Sequence, residues 1–291
     1  MNWKIFIIEA FLFCLTLGLG IATAFRMNNP PPNFGGGQKV NIPQISFSQF
    51  TPLENLLFLT GFILNFLLAT LFIFLILRFV KFEKEKGTIF KILFILAVSL
   101  GGLLFLETWL PEPLSLIFVF VLIFWWLKKP SVLIQDLLII LGIAGTGSIL
   151  GLSLNPLMVI ALLIIFSIYD FIAVYKTKHM VRMAKAMLES RAILALVIPP
   201  NIFGFRESLE KIQPGGKFLI LGGGDIAFPL IFSVSLIPSG IFDSLIVALF
   251  SLIGLFASFL FFTKQKERKP IPALPPIAFF SIIGYLITKI L

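Results

Sequence analysis

The sequence predicts an all-α, polytopic membrane protein with about nine transmembrane helices. Three observations carry that prediction. The 291 residues are 58% hydrophobic and only 13% charged, with a mean hydropathy of +1.05, whereas about a quarter of the residues of a soluble domain are charged. Apolar runs of about 17 to 26 residues, the length that roughly 30 Å of hydrocarbon demands of a helix, are separated by short clusters of charge and proline. Those runs do not alternate polar with apolar residues, which excludes a β-barrel.

The candidate spans are 5–25, 55–80, 90–106, 114–127, 132–152, 157–175, 217–238, 241–262 and 271–290. The first follows Lys4, and Ala22, Thr23 and Ala24 near its end also fit a secretory signal with a cleavage site. Cleavage there would leave the orientation of the other eight unchanged. Residues 26–53, with Pro30 to Pro32 and Gly35 to Gly37, read as an exposed irregular loop that proline and glycine keep out of helix. The second span runs into a basic cluster at 78–91. The fourth is short for a bilayer, so it either begins nearer Leu110 or crosses tilted through a thinned membrane. The fifth follows Lys129, Pro130 and Ser131. Asp136 lies in its first turns, where an acid suits a helix N-terminus, and Gly147 and Gly151 form a GxxxG pair suited to close helix packing. Residues 176–216 hold a basic amphipathic stretch with Met180, Met183 and Met187 on one side, then an apolar patch ending at Pro199 and Pro200. An interfacial helix followed by a turn is the first reading of that stretch; a flexible cover over an active site is the second. Asp243 opens the eighth span as Asp136 opens the fifth. The chain thus divides into a six-helix part (1–175), a loop (176–216) and a three-helix part (217–291).

Charge sets the orientation. The net charge of +9 does not point to nucleic acid, because the basic residues flank apolar runs, where they fix topology and meet anionic lipid head groups. Placing the N-terminus inside puts all of the 23 basic residues except Arg26, Lys39 and Lys289 on one side. The expectation is a multi-pass protein of the cell membrane with its N-terminus in the cytoplasm and its C-terminus outside. Cys14, the single cysteine, cannot form an intrachain disulfide and reads as filler in an apolar run. His179, the single histidine, has no nearby Cys or second His, so neither a metal nor another cofactor is expected.

The chemistry rests on two acids. Asp170 and Asp225 lie inside apolar runs with no basic residue in the adjoining turn, at a cost of about 2.5–3.5 kcal/mol each if ionised and unpaired at a helix centre. Asp170 precedes Lys176 by six residues and Asp225 follows Lys217 by eight, which by helix rise puts them roughly 9 and 12 Å below one face. Their helices run antiparallel from that face, so the two carboxyl groups can meet and share one proton. The ionised member can take a proton from water while the protonated member donates to a scissile carbonyl. Gly222, Gly223 and Gly224 before Asp225 leave space for an extended peptide or for water, although helix packing is an equally ordinary use of glycine in a membrane. Pro272 and Pro275 at the start of the last span leave carbonyls without helical partners, a backbone tolerated at membrane depth only where it lines a cavity or is buried in protein.

Tyr169-Asp170, Gly222 to Asp225 and Pro272-Ala273-Leu274 resemble, in order and in spans six, seven and nine, the YD, GxGD and PAL motifs of the presenilin and signal peptide peptidase family. Residues 169–175 look more like presenilin and residues 224–229 more like signal peptide peptidase. In compact size and short tails the chain is most similar to the archaeal presenilin homologues. The resemblance implies an intramembrane aspartyl endopeptidase acting on transmembrane-helix peptide substrates in a lipid bilayer, with membrane proteins or remnant signal peptides as targets. It implies Asp170 and Asp225 as catalytic. Tyr169 and the glycines are their setting, and Pro272, Ala273 and Leu274 support site geometry and substrate. Gly223 stands where many relatives carry a bulkier residue, so no cleavage preference carries over. A channel or transporter would also use buried acids and interrupted helices, but should show more polar lining. A prepilin-type peptidase shares GxGD, but nothing in its pattern predicts the PAL element or nine spans. The sequence does not set substrate identity or oligomeric state.

Overall fold

The computed structural model describes residues 3–29, 83–176, 187–212, 216–265 and 270–290, with residue 184 and isolated positions between 57 and 71. Most of the predicted 55–80 span, the Pro- and Gly-rich loop, and His179, Met180 and Met183 lie outside the described residues.

Eight α-helices are present among the described residues: α1 (Trp3–Asn28), α2 (Glu83–Trp109), α3 (Glu112–Lys128), α4 (Val132–Ser153), α5 (Pro156–Phe171), α6 (Gly223–Ser235), α7 (Ile241–Lys264) and α8 (Leu274–Thr288). Five segments, Trp3–Asn28, Gly87–Trp109, Val132–Ser153, Pro156–Lys176 and Ile241–Lys264, are long and apolar enough to cross a bilayer. The short span predicted at 114–127 is α3, started by Pro113 in its first turn and ended at Lys128. Its outer face, with Ile117, Phe118, Phe120, Val121 and Phe124, is exposed, which is the surface lipid would cover. Cys14 is likewise exposed on α1.

Helix α4 stands in the centre, packed on α1, α2 and α6. Lipid tails are as apolar as leucine, so helices in a membrane gain from close van der Waals approach rather than from leaving water. Glycine makes that approach possible here. Gly101 of α2 meets Gly142 and Gly145 of α4 backbone to backbone. The predicted GxxxG pair receives α6: a Cβ on Gly147 would lie 2.6 Å from Leu230, and one on Gly151 2.5 Å from Val234. Gly20 of α1 closes on the same Leu230, and the Ser148 hydroxyl donates to the Gly20 carbonyl at 2.8 Å. Phe13, Phe94, Ile226, Leu230 and Leu255 fill the core between these helices.

A small sheet interrupts the helical plan. β1 (Ala195–Ile198) pairs antiparallel with β2 (Leu219–Gly222), Ala195 facing Gly222 and Ile198 facing Leu219. The sequence reading had residues 195–198 in an apolar patch of a helix-and-turn segment, with no strand, and began a membrane helix at residue 217; both are corrected. Residues 219–222 are a strand, and helix begins only at Gly223. A short apolar run has no periodicity that separates buried strand from buried helix, and the partner decided the outcome here. The sheet sits against the N-terminal end of α4, with Val132, Leu188, Ile193, Val197, Leu209 and Ile212 as its own core. As a result α6 has only 13 residues; separately, α8 starts at Leu274 rather than at 271 and has 15.

Candidate active site

Asp170 lies in the last turn of α5 and is 6% exposed. Beyond it the chain widens into a π-helical turn, Ile172–Lys176. Asp225 lies in the first turn of α6 and is partly exposed. Local packing turns the two towards each other. Phe166 stands four residues before Asp170 and Phe228 three after Asp225, hence each on its aspartate's helix face. Their rings meet with centroids 4.7 Å apart. With the aromatic pair as spacer, the carboxyl groups one turn further on converge, close enough for their charges to interact. The expected nearness of Asp170 and Asp225 agrees with that charge interaction, whereas the depth argument needs correction. Residues 219–222 are extended, so helix rise from Lys217 does not measure the depth of Asp225. Most of the interval from Asp170 to Lys176 is the π-helical turn, wider and shorter per residue than an α-helix, so the roughly 9 Å from α-helical rise is an upper bound there.

The other motif residues surround this pair. Tyr169 sits half-buried beside Asp170. Gly222 is extended, with φ −59° and ψ 140°, so it is not there for its backbone angles. A Cβ on it would stand 2.9 Å from Asp225 Oδ2, and its backbone N–H faces the Asp225 carboxyl as a donor. The Gly223 N–H donates to the Leu194 carbonyl at 3.1 Å, and a Cβ on Gly223 would lie 3.0 Å from that same oxygen. Gly224 differs from both. It is exposed, and a Cβ there would meet only the Phe228 ring, at 3.8 Å.

Pro272 is buried and, with Ala273, precedes the first residue of α8. The first N–H groups of a helix have no partner within it, and the Leu274 N–H uses this freedom to face the Asp170 carboxyl. Only part of the expected loose backbone is unpaired, because the Ala273 carbonyl accepts from the Ser258 hydroxyl at 3.1 Å. Gly254 of α7 lets α8 settle against it: a Cβ there would lie 2.5 Å from the Ile277 Cα.

Sequence reasoning missed two acids. Glu9 of α1 is 4% exposed, its Oε2 has no partner, and its carboxyl is close enough to Asp225 for their charges to interact. The signal was present as an acid between Ile8 and Ala10 in an apolar run. Asp136 was read as a helix-start acid. Instead it is 2% exposed, and its Oδ1 accepts from the Val197 N–H of β1 at 2.8 Å. Asp243 does open α7 as expected.

Residues 38–291 match the family described as signal-peptide peptidase, presenilin aspartyl protease. Two solved structures of a presenilin family intramembrane aspartate protease are similar in fold. One, from a C222 crystal form, has a TM-score of 0.63 at 22% identity, covering 98% of this chain and 98% of its own. The other, from a P2 crystal form, has a TM-score of 0.57 at 24% identity over 97% and 96%. No curated protein matches the chain. The family match sets aside the channel and prepilin-type alternatives. A membrane-type helical fold, two acids within it near enough for their charges to interact and a family match over most of the chain agree: the chain belongs to the signal-peptide peptidase and presenilin family and is an intramembrane aspartyl protease.

Proposed function

We propose that Asp170 and Asp225 are the catalytic dyad of this protease and that it cuts peptide bonds within transmembrane segments of membrane proteins or remnant signal peptides. The observation that carries the proposal is the convergence of the two carboxyl groups above the Phe166–Phe228 contact. With one proton between them, the ionised carboxyl takes a proton from the attacking water while its partner protonates the carbonyl oxygen. The proton taken from water then passes to the amide nitrogen as the C–N bond of the tetrahedral diol breaks, and the other carboxyl regains its proton from a diol hydroxyl, which leaves an amine, a carboxylic acid and a dyad again holding one proton. The Leu274 N–H, directed at Asp170, holds that carboxyl in orientation, and Gly222 keeps room for the Asp225 carboxyl.

A helical substrate hides its carbonyls in internal hydrogen bonds, so it must unwind before it can be cut. The sheet offers the unwound segment a place. The Gly223 N–H bonds to the Leu194 carbonyl, so by antiparallel alternation Leu219 and Leu221 turn their backbone groups towards β1 and Ile220 and Gly222 turn theirs outward. Among the described residues no strand pairs with that outer edge. A substrate strand added there would run past Gly224, whose flank is open, to Asp225. The basic-residue bias supports an orientation with the N-terminus in the cytoplasm and the dyad near the cytoplasmic face of the cell membrane.

The test is cleavage of a single-span peptide by the purified chain in detergent. Asp170→Asn and Asp225→Asn are each expected to abolish cleavage while circular dichroism keeps its helical signal. Substantial turnover by either variant sinks the dyad.

A further inference from the structure

The inner strand of the sheet is held from behind by two side chains of α4. The pairing that turns Leu194 and Leu196 towards β2 turns the backbone groups of Ile193, Ala195 and Val197 the other way. An outward-facing row of this kind is an open edge, able to pair with any extended segment that reaches it. It is not open here. The Gln135 amide donates to the Ile193 carbonyl, and Asp136 Oδ1 accepts from the Val197 N–H at 2.8 Å. Gln135 is itself fixed, because its Oε1 accepts from the Trp126 indole N–H at 2.8 Å. Gln135 is fully buried and Asp136 is 2% exposed. Two consecutive side chains of a helix thus stand where a third strand would be.

Neither residue is explained by the needs of α4 alone. The helix has Ser131 as its N-cap, and Asp136 lies too far along it to cap its first amides. Asp136 Oδ2 is buried without a partner, and a buried polar atom left unpaired is a cost that calls for a reason. The same junction also grips the chain between the strands: the Val132 N–H donates to the Glu207 carbonyl, and the Leu209 N–H to the Pro130 carbonyl, both at 3.1 Å.

We propose that Gln135 and Asp136 are positioning residues for the protease, a clamp that closes the β1 edge so that a substrate strand adds only to the outer edge of β2, at a fixed height relative to Asp225. The proposal rests on the strand docking described above and adds to it. β2 hangs on β1, β1 is fastened to α4, and Gly222 at the end of β2 is three residues from Asp225. Without the clamp the substrate meets two edges, one of them unproductive, and a productive edge whose height is no longer fixed.

The test compares Asp136→Leu, which removes the acceptor at similar size, with Asp136→Asn, which keeps an oxygen for the Val197 N–H. Cleavage of a single-span peptide is measured together with exchange of the Val197 amide. Asp136→Leu is expected to raise KM about tenfold, the effect of losing one anchoring hydrogen bond, with kcat within about twofold of the parent and faster Val197 exchange. Asp136→Asn should restore both KM and protection. Parent-like KM for Asp136→Leu, a loss confined to kcat, or an Asn variant as impaired as the Leu variant overturns the clamp. If Asp136→Leu does not fold, Gln135→Met carries the same expectation and the same refutation. Asp225→Asn in the same assay keeps the two ideas apart. Its turnover would sink the dyad and leave the clamp, whereas an unchanged KM for Asp136→Leu sinks the clamp and leaves the dyad.

Discussion

Replacing Gly224 by alanine separates space needed by the fold from space needed by the substrate. The residue lies in the first turn of α6, and a methyl group there would touch only the Phe228 ring, at 3.8 Å, an ordinary contact. For the folded protein the substitution is therefore favourable, by about 0.5–1 kcal/mol, since glycine loses more freedom than alanine on entering a helix. For a substrate strand running from the edge of β2 to Asp225, the same methyl group stands in the path. Overpacking a close contact costs about 1–3 kcal/mol, which in a transition state lowers kcat/KM about five- to 150-fold. Gly223 is the contrast. Its methyl group would press on the Leu194 carbonyl at 3.0 Å, moving β1 and lowering stability and activity together. The assay is kcat/KM on a single-span peptide, with the thermal unfolding midpoint in the same detergent. A Gly224→Ala variant that cuts like the parent would refute the substrate path. One that loses stability along with activity would show that the open flank belongs to the fold.

Three further outcomes are expected. Glu9→Met should raise stability by about 1–3 kcal/mol, because it removes a buried carboxyl oxygen with no partner; a lower unfolding midpoint would mean that Glu9 has a stabilising contact to lose. Replacing Pro272 and Pro275 by leucine should extend α8 backwards, turning the Leu274 N–H from Asp170 into a helical bond with the Pro270 carbonyl, and cleavage should fall. Normal turnover by that double variant would show that the amide is dispensable. Cuts in an oriented substrate should map by mass spectrometry to the cytoplasmic half of its membrane segment, faster where glycine or proline weakens the helix; cuts in the outer half would contradict the orientation.

The sequence made the helices legible because a bilayer demands long apolar runs, and the runs around α1, α2, α4, α5 and α7 are long. The acid pair was legible for the opposite reason, as charge in a place that excludes it. What stayed hidden was decided by partners far along the chain. Residues 219–222 look like the start of a helix until the 195–198 segment, more than 20 residues earlier, pairs with them. Asp136 looks like a helix-start acid until Val197 reaches it. Glu9 gives no sign in the sequence of which way it faces, and only the packing of α1 turns it inward. Gly147 and Gly151 announced a close helix contact, yet only the fold names Leu230 and Val234 as the side chains received.

The lengths of α6 and α8 have a consequence for the membrane itself. At 13 and 15 residues they reach only about 20 and 22 Å by helix rise, against a hydrocarbon layer of about 30 Å. Hydrophobic mismatch of that size thins the surrounding bilayer or draws head groups and water inward, and both helices begin at the acid pair. A reaction that consumes water thus gains access to it in a place from which lipid would otherwise exclude it, without a pore. A substrate helix matched to the full thickness loses hydrocarbon cover over its end on arrival, and its exposed turns become easier to unwind. Acyl-chain length then sets the rate alongside sequence, and thicker bilayers, costlier to deform, slow the same enzyme on the same peptide.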